Sequence, residues 1–171
     1  WNYIRKALAD EIPAAYGLCG DCYYYGLGTV KDYSQAYYYF SKAAISGRYE
    51  AMMRLGDMYR FGQYVDQDAD MARTAYQKAE KMINDSWETA FVAAGSVYER
   101  LGDVFYEGIG ADINFDRAYQ MYQAAERGLV DQIRSGDQYV KTHLEKVQER
   151  LEELRKSIAK SNLKNKKTKE A

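Results

Sequence analysis

LCGDCYYYGLGTVKDYSQAYYYFSKAAISG, residues 18–47, reads as two short helices joined by a glycine turn, and pieces of the same wording return three more times. Glycine–aspartate pairs stand at Gly20 and Asp21, Gly56 and Asp57, Gly102 and Asp103, and Gly136 and Asp137. Their spacing is similar before the second and the fourth pair, and longer before the third. An aromatic follows two positions after each aspartate, at Tyr23, Tyr59, Phe105 and Tyr139. Turn glycines come next at Gly26, Gly62 and Gly108, then alanines at Ala36, Ala72 and Ala118, and again at Ala43, Ala79 and Ala125. A recurring period of this length means stacked supersecondary units, each unable to bury its apolar face alone. The step from Ala79 back to Ala43, taken once more, reaches Ala7, so residue 1 is expected to lie inside the second helix of an earlier unit.

Local chemistry supports two helices per unit. Ala15, Leu18, Cys19, Cys22 and Tyr23 recur at helical spacing and predict one apolar face. Pro13 suits a first helical turn, where its missing N–H has no partner to lose. Asp32, Asp68 and Asn114 stand where N-caps belong, and Gln35 is placed to complete a capping box with Asp32. The pattern predicts helices near 1–9, 13–25, 32–46, 49–61, 68–83, 86–106, 114–127 and 131–161.

The wording L-G-D-x-Y-x-x-G, K-D-Y-x-x-A and K-A-A-x-x-G resembles the Sel-1-like repeat family, relatives of the tetratricopeptide repeats. The resemblance covers roughly 1–139 and is strongest in 18–47 and 55–79. It implies an all-α fold, an α-α superhelix or solenoid of helical hairpins, with units near 13–48, 49–84 and 85–128. It also implies a protein-binding scaffold or adaptor. The departures are specific. Ala69 replaces Tyr33, Tyr64 replaces Gly28, the third copy ends one residue early at Gly128, and the fourth has Ser135 for Leu55 and never reaches a turn glycine.

Length predicts one domain, and 47 % apolar residues suffice for a core. No run of about 20 apolar residues offers a membrane span. The net charge of −1 is uneven: residues 156–171 hold six lysines against Glu170. The rest carries 18 basic and 24 acidic side chains. An acidic body with a basic tail is not the footprint of a nucleic-acid domain. The lysines of 162–171 serve either solubility or contact with an anionic lipid or nucleic acid.

Ten extra residues precede the third copy, where Asp85 or Ser86 could cap a lengthened helix carrying Trp87, either as packing or as a partner anchor. Further on, Val140, Leu144, Val147, Leu151, Leu154 and Ile158 form a heptad seam. Its flanks would meet like charges in a self-pair, so a monomer is expected, with this helix either capping the array or meeting a more acidic partner.

Catalytic signals are missing from the wording. Cys19 and Cys22 have redox spacing but align with Leu55 and Met58, so they read as small hydrophobes, and reduced thiols suit a cytosolic setting. His143 is the lone histidine, and a four-ligand zinc site cannot be assembled from Cys and His. No phosphate-cradling or cofactor motif is present, and no enzyme is expected. The repeated polar feature is the column Asp21, Asp57, Asp103 and Asp137, about 240° from Ala15 on a helical wheel, beside Tyr24, Arg60 and Tyr106. It reads either as a solvated face or as an acidic rail with tyrosine rungs for a basic or aromatic segment. The partner-binding candidates are Asp21, Tyr24, Asp57, Arg60, Asp103, Tyr106 and Trp87.

Overall fold

Pro13 opens the first helix and Gly26 closes it in the left-handed conformation, its N–H returning to the Cys22 carbonyl. The computed structural model describes residues 12–85 and 94–169. Among these residues lie seven α-helices and no strand: α1 Pro13–Tyr25, α2 Tyr33–Ile45, α3 Tyr49–Phe61, α4 Ala69–Asp85, α5 Gly95–Glu107, α6 Phe115–Arg134 and α7 Lys141–Lys169. A single 3-10 turn, Gln138–Val140, precedes α7. The expected helix at 1–9 and the start of the one at 86–106, with Trp87, lie outside the described residues.

Each loop between paired helices is built the same way. Asp32, Asp68 and Asn114 cap α2, α4 and α6 from their side chains, accepting from Gln35, Met71 and Arg117 N–H groups at 3.1, 2.8 and 2.9 Å. Their own N–H groups donate to the carbonyls of Tyr23, Tyr59 and Phe105 at 2.8–2.9 Å. That bond takes the donor Gln35 would have needed, so the expected reciprocal capping box does not close. Tyr64 replaces a loop glycine while keeping its backbone: φ is +71°, against +70° at Gly28 and +60° at Gly110. A tyrosine there is strained by its Cβ.

The chain divides into two compact units, Trp1–Ser86 and Trp87–Ala171. In the first, α1 pairs with α2 and α3 with α4, while α3 also packs on α2 and touches α1. Ala36, Phe40, Ala43, Ala51, Leu55 and Met58 form a buried core there. In the second, α5 pairs with α6, and α7 packs on α6 and touches α5. Val140, Val147, Leu151 and Leu154 of the heptad seam are buried against Tyr122, Ala125 and Leu129 of α6. The seam is therefore filled by its own chain, as a cap would be.

Helix α6 runs through Gly128 to Arg134, and the break expected near 128–130 comes at Ser135 and Gly136. Gly128 does not end a helix. A Cβ there would stand 2.8 Å from the Gly95 nitrogen, so the two glycines let α5 and α6 touch backbone to backbone. Helix α7 starts at Lys141 rather than 131 and continues to Lys169, beyond the expected end at 161.

Candidate partner-binding surface

The recurring glycine–aspartate pair has one structural meaning in its first three copies. An aromatic from the second helix of each hairpin lies on the glycine. A Cβ at Gly20, Gly56 or Gly102 would meet the ring of Phe40, Tyr76 or Tyr122 at 2.5 Å. In two copies the ring's hydroxyl then donates to the neighbouring aspartate: Tyr76 to Asp57 at 2.9 Å and Tyr122 to Asp103 at 2.7 Å. Asp57 and Asp103 are 4 % and 2 % exposed, so the solvated strip expected of them is not present. The helical wheel located the face of α3 and α5 away from the apolar stripe but could not show that the paired helix covers it. The signal was available as an aromatic that trails each glycine by the same interval, at Phe40, Tyr76 and Tyr122.

Asp21 differs because Phe40 has no hydroxyl. Its Oδ1 is buried without a hydrogen-bond partner, and Arg54 Nε stands 3.5 Å away, an ion pair too long for a strong hydrogen bond. Burial pushes the Asp21 carboxyl above its usual range, with Arg54 only partly offsetting it. The fourth pair is a different object. Gly136 has φ +106°, and Asp137 caps the 3-10 turn by accepting from the Tyr139 N–H at 3.1 Å.

The other candidates are divided between the units. Tyr24 donates to Gln63 Oε1 at 2.8 Å, and the Arg54 guanidinium lies over its ring at 5.9 Å. Tyr106 donates to Glu153 Oε2 at 2.9 Å, with Arg150 over its ring at 4.4 Å. Both tyrosines thus join one first helix to the helix stacked beside it. Arg60 lies over the Phe61 ring at 5.2 Å. Trp87 is outside the described residues.

What remains open on the first helices of the Trp1–Ser86 unit is apolar. Tyr25 and Phe61 occupy equivalent positions of α1 and α3 and are 47 % and 57 % exposed. Leu18, expected in the core, is 58 % exposed on the same helix as Tyr25. Arg54 lies over the Tyr25 ring at 5.3 Å, so each exposed ring has a guanidinium beside it. Such rings offer large amphipathic contact area at small conformational cost.

Burial pushes the Cys19 thiol up to about 11, and both cysteines are free. Among the described residues no group of three or more His, Cys, Asp or Glu side chains is arranged to hold a metal ion. No described helix is long and apolar enough to cross a membrane.

Tandem hairpins with matching caps, turns and ring-on-glycine contacts define an all-α helical-repeat protein. The Sel1 repeat model matches residues 12–47, 50–82 and 97–128, more than half of the chain, and the chain belongs to the Sel1 repeat family. It is 39 % identical over 94 residues to protein sel-1 homolog 2 of Rattus norvegicus, covering 54 % of this chain and 13 % of that protein. An uncharacterised Sel1-like repeat-containing protein of Schizosaccharomyces pombe is 40 % identical over 72 residues, or 42 % of this chain and 11 % of that one. The chain thus spans 13 % or less of these two relatives. Among solved structures, a Sel1 repeat protein from Oxalobacter formigenes superposes with a TM-score of 0.60 at 27 % identity, over 76 % of this chain and 51 % of that one. Sel1 repeats serve in general as scaffolds for protein–protein interaction.

Proposed function

We propose that this chain is a non-catalytic adaptor that holds a protein or peptide segment against the first helices of its hairpins. The observation carrying the reading is the exposure of Tyr25 and Phe61 at equivalent positions of α1 and α3, with Leu18 beside them. The aspartate column enters this role only indirectly, since Asp57 and Asp103 are spent inside the hairpins. The ligand therefore meets rings and guanidinium groups rather than an acidic rail. An action through the heptad helix on another chain is the weaker reading, because Val147, Leu151 and Leu154 already lie against α6.

The test is affinity purification from the native cell with three full-length baits: the unaltered chain, Tyr25→Ser with Phe61→Ser, and Val30→Ser with Ile45→Ser as a surface control. Val30 and Ile45 are 83 % and 87 % exposed and belong to the loop before α2 and to the end of α2 rather than to a first helix. Hot-spot aromatics lose about 2 kcal/mol or more on truncation, roughly a thirtyfold weakening. A partner lost by the first pair and kept by the control supports the proposal. Equal recovery by all three baits refutes it.

A further inference from the structure

One carboxylate on the first helices of the Trp1–Ser86 unit is left without what its counterparts receive. Asp57 and Asp103 each accept a ring hydroxyl from the paired helix, at 2.9 and 2.7 Å. Beside Asp21 the matching ring is that of Phe40, which carries no donor. Asp21 Oδ1 is buried without a hydrogen bond, while the side chain as a whole is 38 % exposed and within reach of a ligand. Its cation is Arg54, and that guanidinium is shared: Nε stands 3.5 Å from Asp21, and Nη1 stands 3.5 Å from Asp57. Glu50, itself paired with Arg48 at 3.3 Å, adds a second negative charge to the field at Asp21. A carboxylate partly withdrawn from water and only half neutralised favours a further cation.

The neighbours of Asp21 on this face are apolar. Leu18, Asp21 and Tyr25 follow at helical spacing along α1, and Leu18 and Tyr25 are 58 % and 47 % exposed. The corresponding row is Arg54, Asp57 and Phe61 on α3, and Arg100, Asp103 and Glu107 on α5. Of these three copies, the first alone sets an under-neutralised carboxylate between two exposed apolar side chains.

We propose that the segment docking on this surface carries a lysine or arginine between two apolar side chains, with its cation on Asp21 and its apolar neighbours on Leu18 and Tyr25. The inference rests on the adaptor reading above and adds the chemistry of the ligand. Leu18 and Tyr25 lie about 10 Å apart along the helix axis, which an extended chain covers in about three residues, leaving room for a basic residue between the apolar ones. An acidic segment is disfavoured, because it brings a like charge to Asp21.

The probe is a displayed library of random dodecapeptides selected on the full-length unaltered chain, each enriched peptide then being titrated by fluorescence polarisation. Enriched peptides should hold Lys or Arg flanked by apolar residues. Asp21→Asn keeps the shape and removes the charge, so it should weaken them at least about tenfold, the factor a charged hydrogen bond supplies, without lowering the urea midpoint. Changing the peptide's basic residue to Gln should weaken binding to the unaltered chain by the same factor and add nothing further in Asp21→Asn. Asp21→Glu should bind more tightly than Asp21→Asn. Should Asp21→Asn lower the midpoint, the Gln peptides decide alone, and their undiminished binding to the unaltered chain overturns the inference. Peptides lost with Tyr25→Ser and Phe61→Ser but indifferent to Asp21→Asn overturn it too, and leave the adaptor reading standing. Peptides indifferent to both changes, or no enrichment at all, overturn both.

Discussion

At Gly56 the space for a side chain is already taken, and at Gly17 it is open. A Cβ on Gly56 would sit 2.5 Å from a Tyr76 ring that is fully buried and tied by its hydroxyl to Asp57, whereas at Gly17 nothing lies within 4 Å. The same substitution therefore has opposite signs. Gly17→Ala should stabilise by about 0.5–1 kcal/mol through helix propensity. Gly56→Ala should destabilise by about 1–3 kcal/mol, because the ring must leave its place. Urea midpoints followed by circular dichroism would show both. Phe40→Tyr is the matching gain. It offers Asp21 the hydroxyl that Asp57 and Asp103 receive, and should add about 1 kcal/mol at neutral pH while lowering the Asp21 pKa in a carboxyl NMR titration. Unchanged stability with an unshifted Asp21 would show that the hydroxyl does not reach. The glycines themselves were legible as a recurring pair. Their partners were not, because an aromatic so far along the chain looks like any core residue until the hairpin closes. The same test separates the fourth pair from the others: the position matching Phe40, Tyr76 and Tyr122 is Lys156, and Gly136 and Asp137 form a turn.

Between elements, the caps and turns follow from short-range chemistry and were therefore readable, with α1 and α3 ending where glycine follows. The junction of α5 and α6 was less so, because an alanine-glycine ending suggests a helix stop while the structure uses Gly128 as a contact. Its opposing atoms are backbone of Gly95 and cannot rotate away. Gly128→Ala should thus cost about 3 kcal/mol or more, at the top of the range for overpacking. If its urea midpoint falls no further than that of Gly56→Ala, the close crossing is not as tight as the backbone contact implies. Asn114→Ala, losing one side-chain bond to the Arg117 N–H at the start of α6, should cost about 1 kcal/mol. The heptad seam was legible as a seam. Its partner was not, since alternating apolar spacing states that a helix is covered and is silent on which helix covers it.

Over the whole molecule, Glu99 in one unit and the half-buried Asp21 in the other are held under opposite conditions, and acid should tell them apart. In the Trp87–Ala171 unit, burial pushes the Glu99 pKa up, but the His143 hydrogen bond and the charges of Lys146, His143 and Arg100 outweigh it and hold the carboxyl below its usual range. A depressed folded pKa stabilises above the unfolded value, about 4.3, and that stability is lost as pH falls through the folded one. In the Trp1–Ser86 unit, Asp21 is held above its usual range chiefly by burial. Folding then favours its protonated form, so this group destabilises above its raised pKa and ceases to do so below it. Asp32 in one unit and Glu153 in the other are both lowered by hydrogen bonds at exposed positions, so neither tips the comparison. Lowering the pH from 7 to about 3 should open the second unit first. Hydrogen exchange corrected for intrinsic rates would show α5, α6 and α7 losing protection while α1–α4 retain theirs. Replacing Glu99 by Gln should flatten the response of the second unit and leave that of the first unchanged. Simultaneous loss of protection in both units, or an unaltered acid response in Glu99→Gln, would mean that the Glu99, His143 and Lys146 cluster does not set the acid stability of this end.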